Sequence, residues 1–239
     1  MSAGPAATVP RSPAATVSRT PMAAVATSTV PAITPGTTLE GQQLVAALRR
    51  GGLIIFFRHA ATDFSQLDSD RQNLEHCQTQ RNLSARGHAD AQLIGAGFQA
   101  LGIPVDRVLG SPYCRTRETA TLAFERETVE PGLLSPASTR DEAERVALRA
   151  AFDRLFVTPP PLGTNTVLIG HDFSIQASAD LSLDEGQAGV FLTTGNTAAG
   201  LVARVLPTEW AALAARPGDA PEPAGAVAHL ASAVARREW

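Results

Sequence analysis

The chain has 239 residues, 44% of them hydrophobic, and a formal net charge of −3 from 20 basic and 23 acidic side chains. That length and composition suit one α/β domain with a substantial core, and the weak negative charge gives no footing for nucleic acid or an anionic membrane. No apolar run is long enough to span a bilayer, and two cysteines are too few for a disulfide framework or a structural zinc site.

Residues 1–37 are almost wholly Ala, Pro, Thr, Ser and Val, with six prolines and only Arg11 and Arg19 as charges. No helical or strand period survives so many breakers, so the segment is expected to be disordered. Its apolar stretch near Met22 is too Thr-rich to read as a typical export signal, although an unusual leader is the alternative. An ordered domain is expected over 38–215. It opens with a short helix over Thr38–Arg50, apolar at Leu44, Ala47 and Leu48 and stopped by Gly51-Gly52. Leu53–Phe57 then reads as a fully buried strand, because the run is apolar without alternation and rich in β-branched and aromatic residues.

A polar loop follows from Thr62 to Arg81. Ser84 is a candidate N-cap for a helix with Ala91, Ile94, Phe98 and Leu101 on one face. Val105–Leu109 is a second strand, turned by Gly110-Ser111-Pro112 into a helix from Tyr113 to Phe124. Between Glu125 and Ser138 only a short strand is expected. Asp141–Phe156 is a helix, Asn165–His171 a strand, and Val190–Thr193 and Leu201–Leu206 complete the set. Residues 216–239 hold a Pro/Gly-rich linker and a terminal helix carrying Val227, Leu230 and Val234. Helices alternating with short apolar strands predict a three-layer α/β/α fold with a mostly parallel central sheet.

Three strings share one layout: Arg58-His59, Ser111-Pro-Tyr-Cys-Arg115-Thr116 and Gly170-His171 each follow a strand. In a parallel sheet those strand ends open onto one edge, where α/β proteins bind ligands. Two histidines and two arginines gathered there would repel one another without an anionic guest. A phosphoryl group fits best, because guanidinium forks match its oxygens.

In these residues the chain resembles the histidine phosphatase superfamily, the phosphoglycerate-mutase-like and acid-phosphatase-like fold. Its Arg-His-Gly signature stands here as Arg58-His59-Ala60, with alanine for the usual glycine. Ser111–Ala120 resembles the second arginine segment, Asn82-Leu-Ser-Ala-Arg-Gly87 the Leu-Ser/Thr-x-x-Gly helix start, and Gly170-His171-Asp172 the second histidine. The resemblance implies a phosphatase, with no cofactor and no metal, whose His59 takes the phosphoryl group covalently. Arg58, Arg115 and His171 would hold the phosphoryl oxygens, with Thr62 and Arg81 as further candidate ligands.

Asp172 is the candidate proton donor by similarity to the acid-phosphatase-like branch. A helix-capping role is its structural alternative. Mutase-like members use a Glu instead, and Glu127, Glu130 and Glu142 occupy that slot. A phosphomutase and an inactive phosphate-binding protein are therefore the rival readings. Cys77 and Cys114 would contribute roughly 4 kcal/mol if bridged, the alternative being two reduced thiols. Exported members of the superfamily resemble this chain in having both, which favours a periplasmic or exported location over a cytoplasmic one. The expected partner is a small phosphate ester or another phosphorylated substrate.

Overall fold

The apolar run at 53–57 becomes β1 (Leu53–Arg58), the strand around which the domain is built. The computed structural model describes residues 37–193, 195 and 199–215, together with Met1, Gly4 and Ile33. The disorder expected over 1–37 and the terminal helix expected after 215 fall almost wholly outside them. All helices and strands described here belong to the unit Ala32–Trp239.

After α1 (Gly41–Arg50) and β1, the chain runs through α2 (Ala85–Leu101), β2 (Val105–Gly110), α3 (Cys114–Phe124) and β3 (Thr128–Val129). It continues through α4 (Glu142–Val157), β4 (Asn165–Gly170), α5 (Asp172–Ala179), β5 (Ala188–Leu192), β6 (Gly200–Val205) and α6 (Glu209–Ala214). The six strands lie in the order β3-β2-β4-β1-β5-β6. Pairings from β3 to β1 are parallel, and β5 runs antiparallel to both β1 and β6. The sheet is therefore mostly parallel, as the alternation of helices and strands predicts.

Side chains of β1 alternate between two cores. Leu53, Ile55 and Phe57 join the cluster formed with α1, α2, α3 and α6, while Ile54 and Phe56 join the one formed with α4 and α5. Phe57 packs among Phe98, Phe124 and Trp210, each with ring centroids 6.0 Å away. On the other face Phe56 meets Phe152 edge-on at 5.6 Å. Burying these five side chains contributes about 10 kcal/mol before chain entropy is counted, which makes β1 the least movable part of the molecule.

The caps follow the sequence closely. Ser84 Oγ accepts from Gly87 N at 3.1 Å to start α2, and Asp141 Oδ1 accepts from Ala143 N and Glu144 N to start α4. Buried Asn165 ties three segments together. Its Oδ1 accepts from Leu53 N, and its Nδ2 donates to the carbonyls of Leu48 and Pro104. That staple fixes where β1 and β4 begin, and so where both end.

Candidate active site

The ends of β1, β4 and β2 fall level. Arg58 is in register with Gly170, and Gly110 with Ile169. The next residues, His59, His171 and Ser111, therefore leave the sheet side by side. His59 N donates to Gly170 O at 3.1 Å and Ser111 N to Ile169 O at 3.0 Å, extending the ladder by one step. The predicted convergence is realised: the His59 and His171 rings lie 5.6 Å apart between centroids.

His59 is 2% exposed. Its Nδ1 lies 2.9 Å from Ala60 O. A carbonyl only accepts, so Nδ1 carries the proton and Nε2 keeps its lone pair. Among the described residues nothing hydrogen-bonds that Nε2. Burial, then the Arg115 guanidinium, push the His59 pKa well below its ordinary value. The same two causes, followed by His59 itself, lower that of His171. Both rings are therefore neutral near pH 7, which for His59 is the nucleophilic form. His171 Nε2 is held by Ser111 Oγ at 2.9 Å, and its ring meets Tyr113 edge-on at 5.1 Å.

Ala60, standing where the resemblance expects glycine, has a negative φ and packs with Leu83 and Ala91. One methyl is accommodated without strain. Its amide donates to Thr119 Oγ1 at 3.0 Å, which anchors the loop after His59 to α3. The next carbonyl, Ala61 O, accepts from Ser84 N and Ser84 Oγ at the start of α2. A Cβ on Gly87 would stand 2.0 Å from that oxygen. This contact is the physical reason for a glycine three residues after the capping serine.

Around the histidines the cleft is lined by Arg58, Arg71, Arg81, Arg115, Tyr113 and Asp172, with Asp68 and Ser135 at its sides. It holds about 180 Å³, less than the roughly 300–1,000 Å³ of pockets that enclose drug-sized ligands. Arg58 Nη1 donates to Leu183 O at 2.9 Å, and its Nη2 lies 3.6 Å from Glu185 Oε1. Arg115 Nη1 donates to Asp68 Oδ1 at 3.0 Å, and the guanidinium lies 4.1 Å over the Tyr113 ring. Arg81 stacks 4.6 Å over Phe64. The Nε atoms of all three arginines are buried without a hydrogen-bond partner among the described residues. Arg58, Arg81 and Arg115, lining one cleft with an imidazole whose Nε2 is unengaged, form a receptor for an oxyanion.

Not every candidate faces the cleft. Thr62, expected to donate to the phosphoryl group, donates instead to Glu185 Oε1 at 2.7 Å, and its amide donates to Glu185 Oε2 at 3.0 Å. Its only hydroxyl proton is used behind Arg58, so it acts on the site through that carboxylate. Asp172 lines the cleft in the first turn of α5, with His171 rather than itself as the N-cap. Both its oxygens are engaged, by Ser182 Oγ and Leu183 N. The mutase-type candidates lie elsewhere: Glu127 pairs with Arg117, Glu130 accepts from Gly132 N and Glu142 pairs with Arg145. Cys77 and Cys114 are joined in a disulfide bordering the loop that carries Arg81.

Sequence reasoning missed Asp68, Arg71 and Glu185. Each lies in a loop whose sequence carries no period or motif. Their only signal is chemical: buried arginines need carboxylates, and the two polar loops at this edge of the sheet supply them.

Fold and cleft together define an α/β protein with a histidine and arginine centre at the carboxyl edge of its sheet. Residues 54–135 match the model of the histidine phosphatase superfamily (branch 1), a stretch that contains Arg58, His59, Arg81 and Arg115 and ends before His171. No curated protein matches the chain. Among solved structures it is similar to the protein histidine phosphatase SixA complexed with tungstate, at 14% identity and a TM-score of 0.45, over 65% of this chain and 97% of that one. It is also similar to TTHB049 from Thermus thermophilus, at 16% identity and 0.45, over 64% and 99%. A mutant phosphoserine phosphatase from Entamoeba histolytica in complex with phosphoserine is similar at 13% identity and 0.42, over 64% and 95%.

Proposed function

We propose that this protein hydrolyses phosphate monoesters through a covalent phosphohistidine on His59. The observation that carries the reading is the unengaged Nε2 of neutral His59 in a cleft that Arg58, Arg81, Arg115 and His171 also line.

In the first step the Nε2 lone pair attacks phosphorus and the ester P–O bond breaks. Arg58, Arg115 and His171 hold the equatorial oxygens, with Arg81 as a fourth donor from the loop, and stabilise charge as it gathers there. As the ring becomes cationic, Ala60 O holds the proton on Nδ1. The leaving oxygen takes a proton from Asp172, the carboxyl group placed beside His171. In the second step water attacks phosphorus and gives a proton to Asp172, the P–N bond breaks with its electron pair returning to His59 Nε2, and phosphate leaves. Guanidinium groups do the electrostatic work in this scheme, so no metal or cofactor takes part. The disulfide fits an oxidising, exported setting.

A phosphomutase is the second reading. It is disfavoured because Glu127, Glu130 and Glu142 are each committed to partners away from the His59 cleft. The test is turnover across a panel of phosphate esters with wild type and His59→Ala, with and without a chelator. Hydrolysis that needs His59 and ignores the chelator is expected. Undiminished turnover by His59→Ala would refute the proposal.

A further inference from the structure

The Cys77–Cys114 bridge lies one residue from Arg115 and joins two segments that both supply the cleft. Cys114 opens α3, and Arg115 follows it. Cys77 belongs to the loop that brings Asp68, Arg71 and Arg81 to His59. Weaker ties run beside the bridge. Gln80, 1% exposed, accepts from Cys114 N at 2.9 Å and donates to Leu74 O at 2.8 Å. Asn82 Nδ2 donates to the carbonyls of Cys77 and Gln80. Arg117 lies 3.6 Å from Glu75.

What the clamp holds is Arg115. Both side-chain hydrogen bonds of that guanidinium go to the loop: Nη1 reaches Asp68 Oδ1 at 3.0 Å and Arg81 O at 3.3 Å. Asp68 Oδ1 in turn accepts from Arg81 N at 3.0 Å. The position of Arg115 is therefore set by a loop that is itself pinned beside Arg115 by the disulfide.

We infer that the Cys77–Cys114 bridge is a positioning element for Arg115, so that the site holds its anion at full strength only when the bridge is oxidised. The inference rests on the phosphatase reading and adds control by redox state to it. Residue Cys77 is exposed whereas Cys114 is buried, so a reductant approaches the bridge from the Cys77 side. One thiolate of a dithiol attacks Cys77 Sγ, the S–S bond breaks and Cys114 leaves as a thiolate. The second thiolate of the dithiol then resolves the mixed disulfide, giving two cysteine thiols and the oxidised, cyclic reductant. The loop between the cysteines, which stand 37 positions apart in sequence, is then freed from the cross-link. Asp68 and the Arg81 carbonyl sample more positions, and Arg115 follows them.

The experiment measures orthophosphate binding by calorimetry, with and without dithiothreitol, while circular dichroism follows the fold. Reduction of the wild type should raise the Kd about tenfold with the fold intact. In Arg115→Lys, where the positioned fork is gone, reduction should change the Kd less than about twofold. The Cys77→Ser/Cys114→Ser protein should bind phosphate weakly whether or not dithiothreitol is present. An unchanged Kd on reduction of the wild type would overturn the inference. Unfolding on reduction, or an equal loss in wild type and Arg115→Lys, would make the bridge a general staple and overturn it equally. Oxidised wild type that binds phosphate but hydrolyses no ester would leave the positioning role standing and refute the phosphatase reading. Absence of phosphate binding in the oxidised wild type would refute both.

Discussion

Replacing Gly87 with Ala tests how the loop after His59 is held. The new Cβ would stand 2.0 Å from Ala61 O, 2.9 Å from Ala61 C and 3.1 Å from Ala61 N, all backbone atoms of the segment after His59. An ordinary contact needs well over 3 Å, so helix and loop must part by more than 1 Å at this point. Overpacking of this kind costs about 1–3 kcal/mol. The upper end applies because the obstacle is backbone held by two hydrogen bonds from Ser84. Alanine returns about 1 kcal/mol of helix propensity, which leaves a net loss of about 2 kcal/mol. For a domain of this size that lowers Tm by about 4–8 °C. The displacement also moves His59, so kcat/KM for a phosphate ester should fall at least about tenfold. Gly97→Ala is the control. Its Cβ would meet Trp210 Cβ at 2.4 Å, and neither residue lines the cleft, so it should lower Tm and spare activity. Thermal unfolding and ester turnover measure both effects. A Gly87→Ala protein as stable and as active as wild type would refute the close-approach argument.

Further outcomes follow from the same geometry. Because burial and Arg115 hold His59 below its ordinary pKa, the acid limb of kcat/KM should lie below pH 6.5; a limb above that value would contradict the assignment. In the unfolded chain His59 and His171 titrate near 6.5. Their share of stability is therefore full above pH 6.5 and is lost as the pH falls below it, by at most about 2.7 kcal/mol per pH unit, which denaturant titrations at stepped pH would register. Asn165→Leu leaves Leu53 N and Leu48 O without their side-chain partner and should cost about 3 kcal/mol in urea unfolding. Asp172→Asn should slow hydrolysis of alkyl phosphates far more than that of p-nitrophenyl phosphate, whose leaving group needs no proton; equal slowing of both would remove Asp172 from the role of acid.

Much of this arrangement is written locally in the chain. β1 is legible because both faces of the central strand are covered, so its five apolar residues run without a polar break. α2 is legible from Ser84 and the spacing of Ala91, Ile94, Phe98 and Leu101. His59 and His171 are legible as a pair because parallel strands in register must deliver their next residues together. Other parts depend on contacts between distant segments. Thr62 reads as a free hydroxyl, and only the fold brings Glu185 to it from the turn before β5. The carboxylate held by Arg115 comes from position 68, inside a loop with no repeating pattern. α6 is six residues long, too short to show a helical period, yet its Trp210 is fully buried against Phe57 and Phe98. Nothing in the composition of β5 distinguishes an antiparallel strand from a parallel one.

The central claim is a covalent bond between His59 and phosphorus, and rapid quenching of wild type during turnover of a 32P-labelled ester addresses it directly. The account predicts a protein-bound label that survives alkali, is lost in acid, maps to the peptide holding His59 and is absent from His59→Ala. Steady ester hydrolysis with no such label, or a label on another residue, would contradict it.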